Sequence, residues 1–214
     1  MKTEDLIGLL AADAFPVRRH AASRRLALAL AAGLPLAGVV MALLGYGVRD
    51  DLDQVVALPM FWIKLLIPAA LCAAALVTLQ RLARPGVKPG FAWIGIAGPL
   101  LALWAVAAVT LAQAPAELRP ALVLGQTWRT CSASIAVISL PVFGSVFAAL
   151  SSLAPTRPAL AGACAGLVAG AAGAAIYALH CPELAAPFLA VWYVAGIAVP
   201  AAAGALLGPR LLRW

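Results

Sequence analysis

The stretch LAGACAGLVAGAAGAAIYAL, residues 160–179, holds no charged side chain and only one side chain larger than isoleucine. At about 1.5 Å per residue it makes a helix of about 30 Å, the thickness of a bilayer's hydrocarbon core. Gly162, Gly166 and Gly170 recur at four-residue spacing and fall on one face, which lets another helix approach closely. The stretch therefore predicts a membrane-spanning helix packed through small residues.

Working outward, five further apolar runs of similar length lie at 26–45, 59–80, 91–112, 131–153 and 188–208. Across the 214 residues, 64% are hydrophobic and 11% charged, and the mean hydropathy is +1.01. A soluble domain has about 45–50% apolar and about 25% charged residues. Such a chain has too little polar surface to cover itself in water, and its abundance of Ala, Leu and Gly favours helices over a barrel. The expected fold is all-α, a polytopic bundle of six transmembrane helices over residues 26–214 with a polar tail over residues 1–25. Pro35, Pro68, Pro99, Pro141 and Pro200 lie inside spans and are candidate kinks.

Basic residues set the orientation. With the N-terminus inside, Lys2, Arg18, Arg19, Arg24, Arg25, Arg81, Arg84, Lys88, Arg157, Arg210 and Arg213 lie on the cytoplasmic side, against Arg49, Arg119 and Arg129 outside. Both ends are thus expected in the cytoplasm of a bacterial inner-membrane protein. Trp62, Trp128 and Trp192 would mark the outer interface, Trp93 and Trp214 the inner one. The net charge of +7 is then a topology signal, and direct nucleic-acid binding is not expected. Ser23-Arg24-Arg25-Leu26 is read as a positive-inside anchor rather than an export signal, because no small-residue cleavage site follows it.

Transporters and proton pumps need ionisable groups at depth. Here Lys64 is the one candidate, about a turn from the outer end of its helix, where it is expected to snorkel outward past Trp62. Ser132, Ser134, Ser139 and Ser145 are expected to bond their own backbone. Cys72 and Cys164 read as small apolar fillers, and His20 as a solvated residue among arginines.

The tail, MKTEDLIGLLAADAFPVRRHAASRR, can form a short helix capped at Thr3 and ended by Phe15-Pro16. Leu6, Ile7, Leu9, Leu10 and Ala14 share one broad face, with Asp13 inside it. A carboxylate there suits a basic group on a protein groove, so the tail is expected to fold on a partner. Resting on the membrane surface is the competing reading, opposed by the repulsion of Glu4, Asp5 and Asp13 from anionic lipid.

Cys131 opens the fourth span and Cys181 follows the fifth, both on the outer side, joined by arms of nearly equal length, 131–153 and 160–181. The two thiols are expected at one height on neighbouring antiparallel helices. A helix N-terminus and Arg129 favour thiolate at Cys131, and His180 stands beside Cys181. Such a site can take a soft metal ion, form a disulfide, or hold two inert thiols.

MKTEDLIGLLAADA at 1–14, FWIKL at 61–65, ALHCPE at 178–183, APFLAVWY at 186–193 and GPRLLRW at 208–214 together resemble the NrsF family, membrane-bound negative regulators of extracytoplasmic-function sigma factors. The resemblance runs from the tail to the last residue. It implies a six-helix anti-sigma factor of the inner membrane with no enzymatic activity, whose partners are a sigma factor and the lipid bilayer. It also implies that Cys131 and Cys181 sense heavy metals or a related thiol stress, so that no cofactor is constitutive and a heavy-metal ion is a signal. Two rivals are a membrane thiol oxidoreductase, weakened by the missing C-x-x-C, and a small metal transporter, weakened by the scarcity of polar groups at depth.

Overall fold

The computed structural model describes residues 3–12, 20–84, 86–87, 90–153 and 155–212, and the regular structure among these is all helical, with no strand. A short helix, α1 (Thr3–Ala12), precedes α2 (Ala21–Leu43). A single turn, α3 (Leu52–Val55), leads to α4 (Pro59–Leu82), then α5 (Ala92–Gln113). A 3₁₀ turn and α6 (Arg119–Leu124) lead to α7 (Trp128–Ser151) and α8 (Pro158–Tyr177). The last long rod joins α9 (Ala186–Phe188), a π-helical turn (Leu189–Tyr193) and α10 (Val194–Leu211). Six of these rods are long and apolar enough to cross a membrane.

Four rods begin earlier than the apolar runs suggest: α2 at Ala21 rather than 26, α7 at Trp128 rather than 131, α8 at Pro158 rather than 160, and the last rod at Ala186 rather than 188. Hydropathy marks where a helix is apolar, whereas the backbone winds on into polar flanks. Pro59 and Pro158 stand in the first turns of α4 and α8, where the missing N–H has no helical partner to lose.

α8 is the axis of the bundle, two-thirds buried (67%) over its apolar window against 11% for the peripheral α5. Its glycine face meets α10: a Cβ on Gly162 would strike the Gly204 carbonyl, one on Gly166 the Pro200 carbonyl, and one on Gly170 Ile197. The contact is reciprocal, because a Cβ on Gly204 would strike Gly162 and one on Gly208 the Pro158 carbonyl. On another side, Gly173 admits Ile135 and Ser139 of α7, so α7 and α8 are neighbours as the short connection between them requires. α4 lies against α8 with the Cys72 thiol 3.7 Å from the Val168 carbonyl oxygen. α2 lies on α7, where Gly33 gives room to Val142 and Ser145.

Leu28, Leu36, Leu101, Leu140 and Leu206 are exposed, while alanine is the commonest buried side chain, beside buried leucines such as Leu26, Leu71 and Leu79. Large apolar groups left outside, with alanine and glycine at the closest helix contacts, suit helices whose surroundings are themselves apolar. In α1, Leu6 and Ile7 are exposed and Glu4 and Asp5 sit in the first turn. Leu9 and Leu10 belong to the same helix. Asp13, Ala14 and the Phe15-Pro16 stop lie outside the described residues.

Candidate functional site

At the end of the bundle where α7 begins and α8 finishes, Cys131 and Cys181 are both fully buried. The backbone brings them together from two directions. α7 starts at Trp128, so Cys131 is already one turn in, and its N–H bonds the Thr127 carbonyl oxygen at 2.9 Å. Beyond Tyr177 the last turn of α8 continues loosely, with the Cys181 N–H on the Tyr177 carbonyl oxygen at 3.0 Å. The two thiols face one another, and the Thr127 hydroxyl lies 4.0 Å from the Cys181 sulfur. All four cysteines are free. The Cys181 thiol is drawn below its ordinary value by the neighbouring Cys131 thiol; burial opposes this, and the nearby Lys64 supports it.

Lys64 does not snorkel. Its side chain is only 1% exposed, and Nζ donates to the Cys181 carbonyl oxygen while lying 5.6 Å from the centre of the Tyr193 ring. Hydropathy gives depth along a helix but not direction around it, and α4 turns this face inward against α8. Arg49 reaches the same carbonyl oxygen from the other side at 3.4 Å. Its guanidinium grips Asp51 with two bonds, of 2.6 and 2.8 Å, which holds the exposed Asp51 carboxyl below its usual range.

Glu183 ties the two halves of the site together. Its Oε1 accepts the Gln126 and Thr127 N–H groups at 2.6 and 3.2 Å, satisfying backbone donors where α7 begins. Gly125 makes room for it: φ is +56° and a Cβ would press on the carboxylate.

Two features expected to perturb the thiols lie elsewhere. Arg129 stacks on Trp128, 5.2 Å from its ring. The His180 Nδ1 is 2.9 Å from the Gly47 carbonyl oxygen, and its ring stacks on Tyr46 at 4.5 Å. Cys131 and Cys181 are thus brought together, and His180 is not aimed at them. Among the described residues no three His, Cys, Asp or Glu side chains converge as a metal cage, so the site offers a pair of sulfurs.

Of the four serines, Ser139 and Ser145 bond their own helix, at 2.7 and 3.1 Å. The other two reach across. Ser134 bonds the Tyr46 hydroxyl at 2.8 Å, and Ser132 donates to the Trp192 carbonyl oxygen at 2.8 Å. Trp192 belongs to the π-helical turn, whose Ala190 carbonyl oxygen accepts from Trp104 Nε1 at 3.1 Å. Wider winding tilts carbonyls out of the helix, and neighbours satisfy them. The turn carries Tyr193 inward, where its hydroxyl is buried beside the thiols without a well-formed hydrogen bond.

Glu183, Lys64 and Tyr193 are parts of the site that spacing alone does not reveal. Each nevertheless lies inside a motif quoted above: HCPE, FWIK and VWY.

The comparisons with known proteins agree from end to end. The family NrsF, "Negative regulator of sigma F", matches residues 10–214. The chain is 47% identical over 214 residues to the "Probable anti-sigma-F factor NrsF" of Azospira oryzae, covering all of both chains. It is 41% identical over 217 residues to the "Anti-sigma-F factor NrsF" of Caulobacter vibrioides, again covering all of both. No solved structure matches it. These relatives are named as regulators rather than enzymes, and with such agreement over its full length the chain belongs to the NrsF family, the negative regulators of sigma F.

Proposed function

We propose that this chain is an integral inner-membrane anti-sigma factor with both ends in the cytoplasm. In this reading the tail, residues 1–25, holds an extracytoplasmic-function sigma factor through Leu6, Ile7, Leu9, Leu10 and Asp13. A soft heavy-metal ion or a thiol-directed stress at Cys131 and Cys181, on the periplasmic side, releases it. The observation that carries the reading is the meeting of two buried, free thiols at the end of the bundle opposite the tail. α7 runs from one end to the other: Cys131 lies in its first turn, and Ser152, just past its last, bonds Arg25 at the root of the tail. Twenty residues of helix separate the two ends, about 30 Å.

The energy required is modest. Weakening sigma binding a hundredfold takes about 2.7 kcal/mol, and structural zinc–thiolate sites supply on the order of 10–16 kcal/mol. By linkage, bound sigma weakens metal binding by the same factor. The deciding experiment combines two measurements. A tagged pull-down from detergent should recover a sigma factor with the full chain and lose it when residues 2–14 are deleted. A sigma-dependent reporter under cadmium challenge should lose induction in Cys131→Ser and in Cys181→Ser, keep basal repression, and respond normally in Cys72→Ser and Cys164→Ser. A normal response from the double Cys131→Ser, Cys181→Ser variant would remove the site from the mechanism.

A further inference from the structure

We infer that residues 125–127 form a strap across the Cys131–Cys181 pair, latched by the Glu183 carboxylate, and that the opening of this latch sets how fast a metal ion or a thiol reagent reaches the sulfurs. The inference rests on the thiol-sensing reading above and adds the step that precedes binding.

Both cysteines are 0% exposed, so nothing in water reaches either sulfur unless the protein moves. The walls around the pair differ in strength. On one side α4 is tied to the Cys181 carbonyl oxygen by Lys64, itself buried. On another, the chain after α2 is tied down by Arg49. Its N–H bonds the Leu179 carbonyl oxygen at 3.1 Å, and its guanidinium reaches that of Cys181. Toward the interior, Tyr177 and Tyr193 are buried with their ring centres 6.1 Å apart. The remaining wall is residues 125–127, which join α6 to α7 and belong to neither helix. Gln126 is exposed there.

Thr127 is the part of the strap that touches both cysteines. Its carbonyl oxygen accepts the Cys131 N–H at 2.9 Å, and its hydroxyl lies 4.0 Å from the Cys181 sulfur. The grip on it comes from just beyond Cys181, where Glu183 accepts the Gln126 and Thr127 N–H groups at 2.6 and 3.2 Å through a single oxygen. Gly125, at φ +56°, supplies the bend at one end of the strap, and the first turn of α7 supplies the other. Two hydrogen bonds at a helix end open far more often than packed rods separate. Their opening frees Thr127 from the Cys181 sulfur while every long helix stays in place. The rate of entry is then the fraction of time the strap is open multiplied by the rate at the bare thiols.

The full-length protein, purified in detergent, is treated with N-ethylmaleimide, and the labelling rate of each of its four cysteines is read by mass spectrometry. Cys131 and Cys181 should label far more slowly than in the SDS-denatured chain. Glu183→Ala should speed both by about 5- to 30-fold, and Glu183→Gln, which keeps an acceptor oxygen, by less. Gly125→Ala leaves Glu183 in place but presses a methyl group on its carboxylate, and should speed both as well. Cys72 and Cys164 should keep their wild-type rates in every variant. Cadmium(II) binding to Glu183→Ala, followed by thiolate-to-metal charge-transfer absorption, should be faster in association and in dissociation by the same factor. Kd then stays unchanged, as a gate requires and a ligand would not. Wild-type rates at Cys131 and Cys181 in both Glu183→Ala and Gly125→Ala would overturn the inference. So would equal acceleration at all four cysteines, which is general loosening, or a changed Kd with unaltered association. Absence of charge-transfer absorption in the wild-type protein would overturn the metal reading and leave the strap standing on the labelling rates.

Discussion

Arg25 donates to both the carbonyl oxygen and the hydroxyl of Ser152, at 2.8 and 2.7 Å, joining the root of the tail to the far end of the helix that carries Cys131. If the thiol signal reaches the tail along α7, this clamp is its last link. Arg25→Ala should leave the protein inserted and basal repression intact, but lower the ratio of induced to uninduced sigma-dependent transcription by about fivefold or more. An unchanged ratio would mean the signal leaves the bundle by another helix.

The tail face is tested by charge. Leu6→Asp together with Leu10→Asp forces two carboxylates into an apolar groove, at a cost of a few kcal/mol. Sigma recovered by pull-down should fall to background, with the melting of the detergent-solubilised bundle unchanged. A synthetic peptide of residues 1–14 should be largely disordered alone and become helical on adding the sigma factor, followed by circular dichroism.

Glycine positions separate tight contact from open surface. Gly166→Ala drives a methyl group into the Pro200 carbonyl, where backbone must move, and should cost about 1–3 kcal/mol. Gly98→Ala, in α5, meets nothing within 4 Å and should be neutral or stabilise by up to about 1 kcal/mol. Thermal unfolding in detergent measures both.

Glu183→Gln keeps an acceptor oxygen and removes the charge at the start of α7. It should lower stability by about 0.3–1 kcal/mol, and Glu183→Ala by about 1–2 kcal/mol. Hydrogen exchange at the Gln126 and Thr127 amides should speed up in the same order.

Orientation is tested by reporter fusions. Those after Arg84 and Ala159 should read cytoplasmic, and those after Asp51 and Glu117 periplasmic. A periplasmic reading after Arg84 would reverse the assignment.

The six rods were legible because each needs an apolar length, and length is written along the chain. The approach of Cys131 to Cys181 was legible for the same reason, since two arms of nearly equal length joined by a short connection end at one height. What faces what around each helix was not. Lys64 reads as a residue near an interface until α8 stands beside it. His180 adjoins Cys181 in sequence, yet its ring turns to Gly47 and Tyr46. The glycines of α8 announced a close neighbour without naming it, and α10 fills that place because its own Gly204 and Gly208 answer them. Hydropathy carries no sign of Glu183 as a cap, which depends on a loop bending back through Gly125.

The π-helical turn at Leu189–Tyr193 sets the phase of everything beyond it. Were the same five residues wound as an ordinary α-helix, residues 194–211 would be rotated by about 90° around the helix axis. Gly204 and Gly208 would swing away from α8, and side chains with a Cβ would arrive at contacts only a hydrogen fits. In this part of the molecule the winding of five residues is read along the whole length of the last helix.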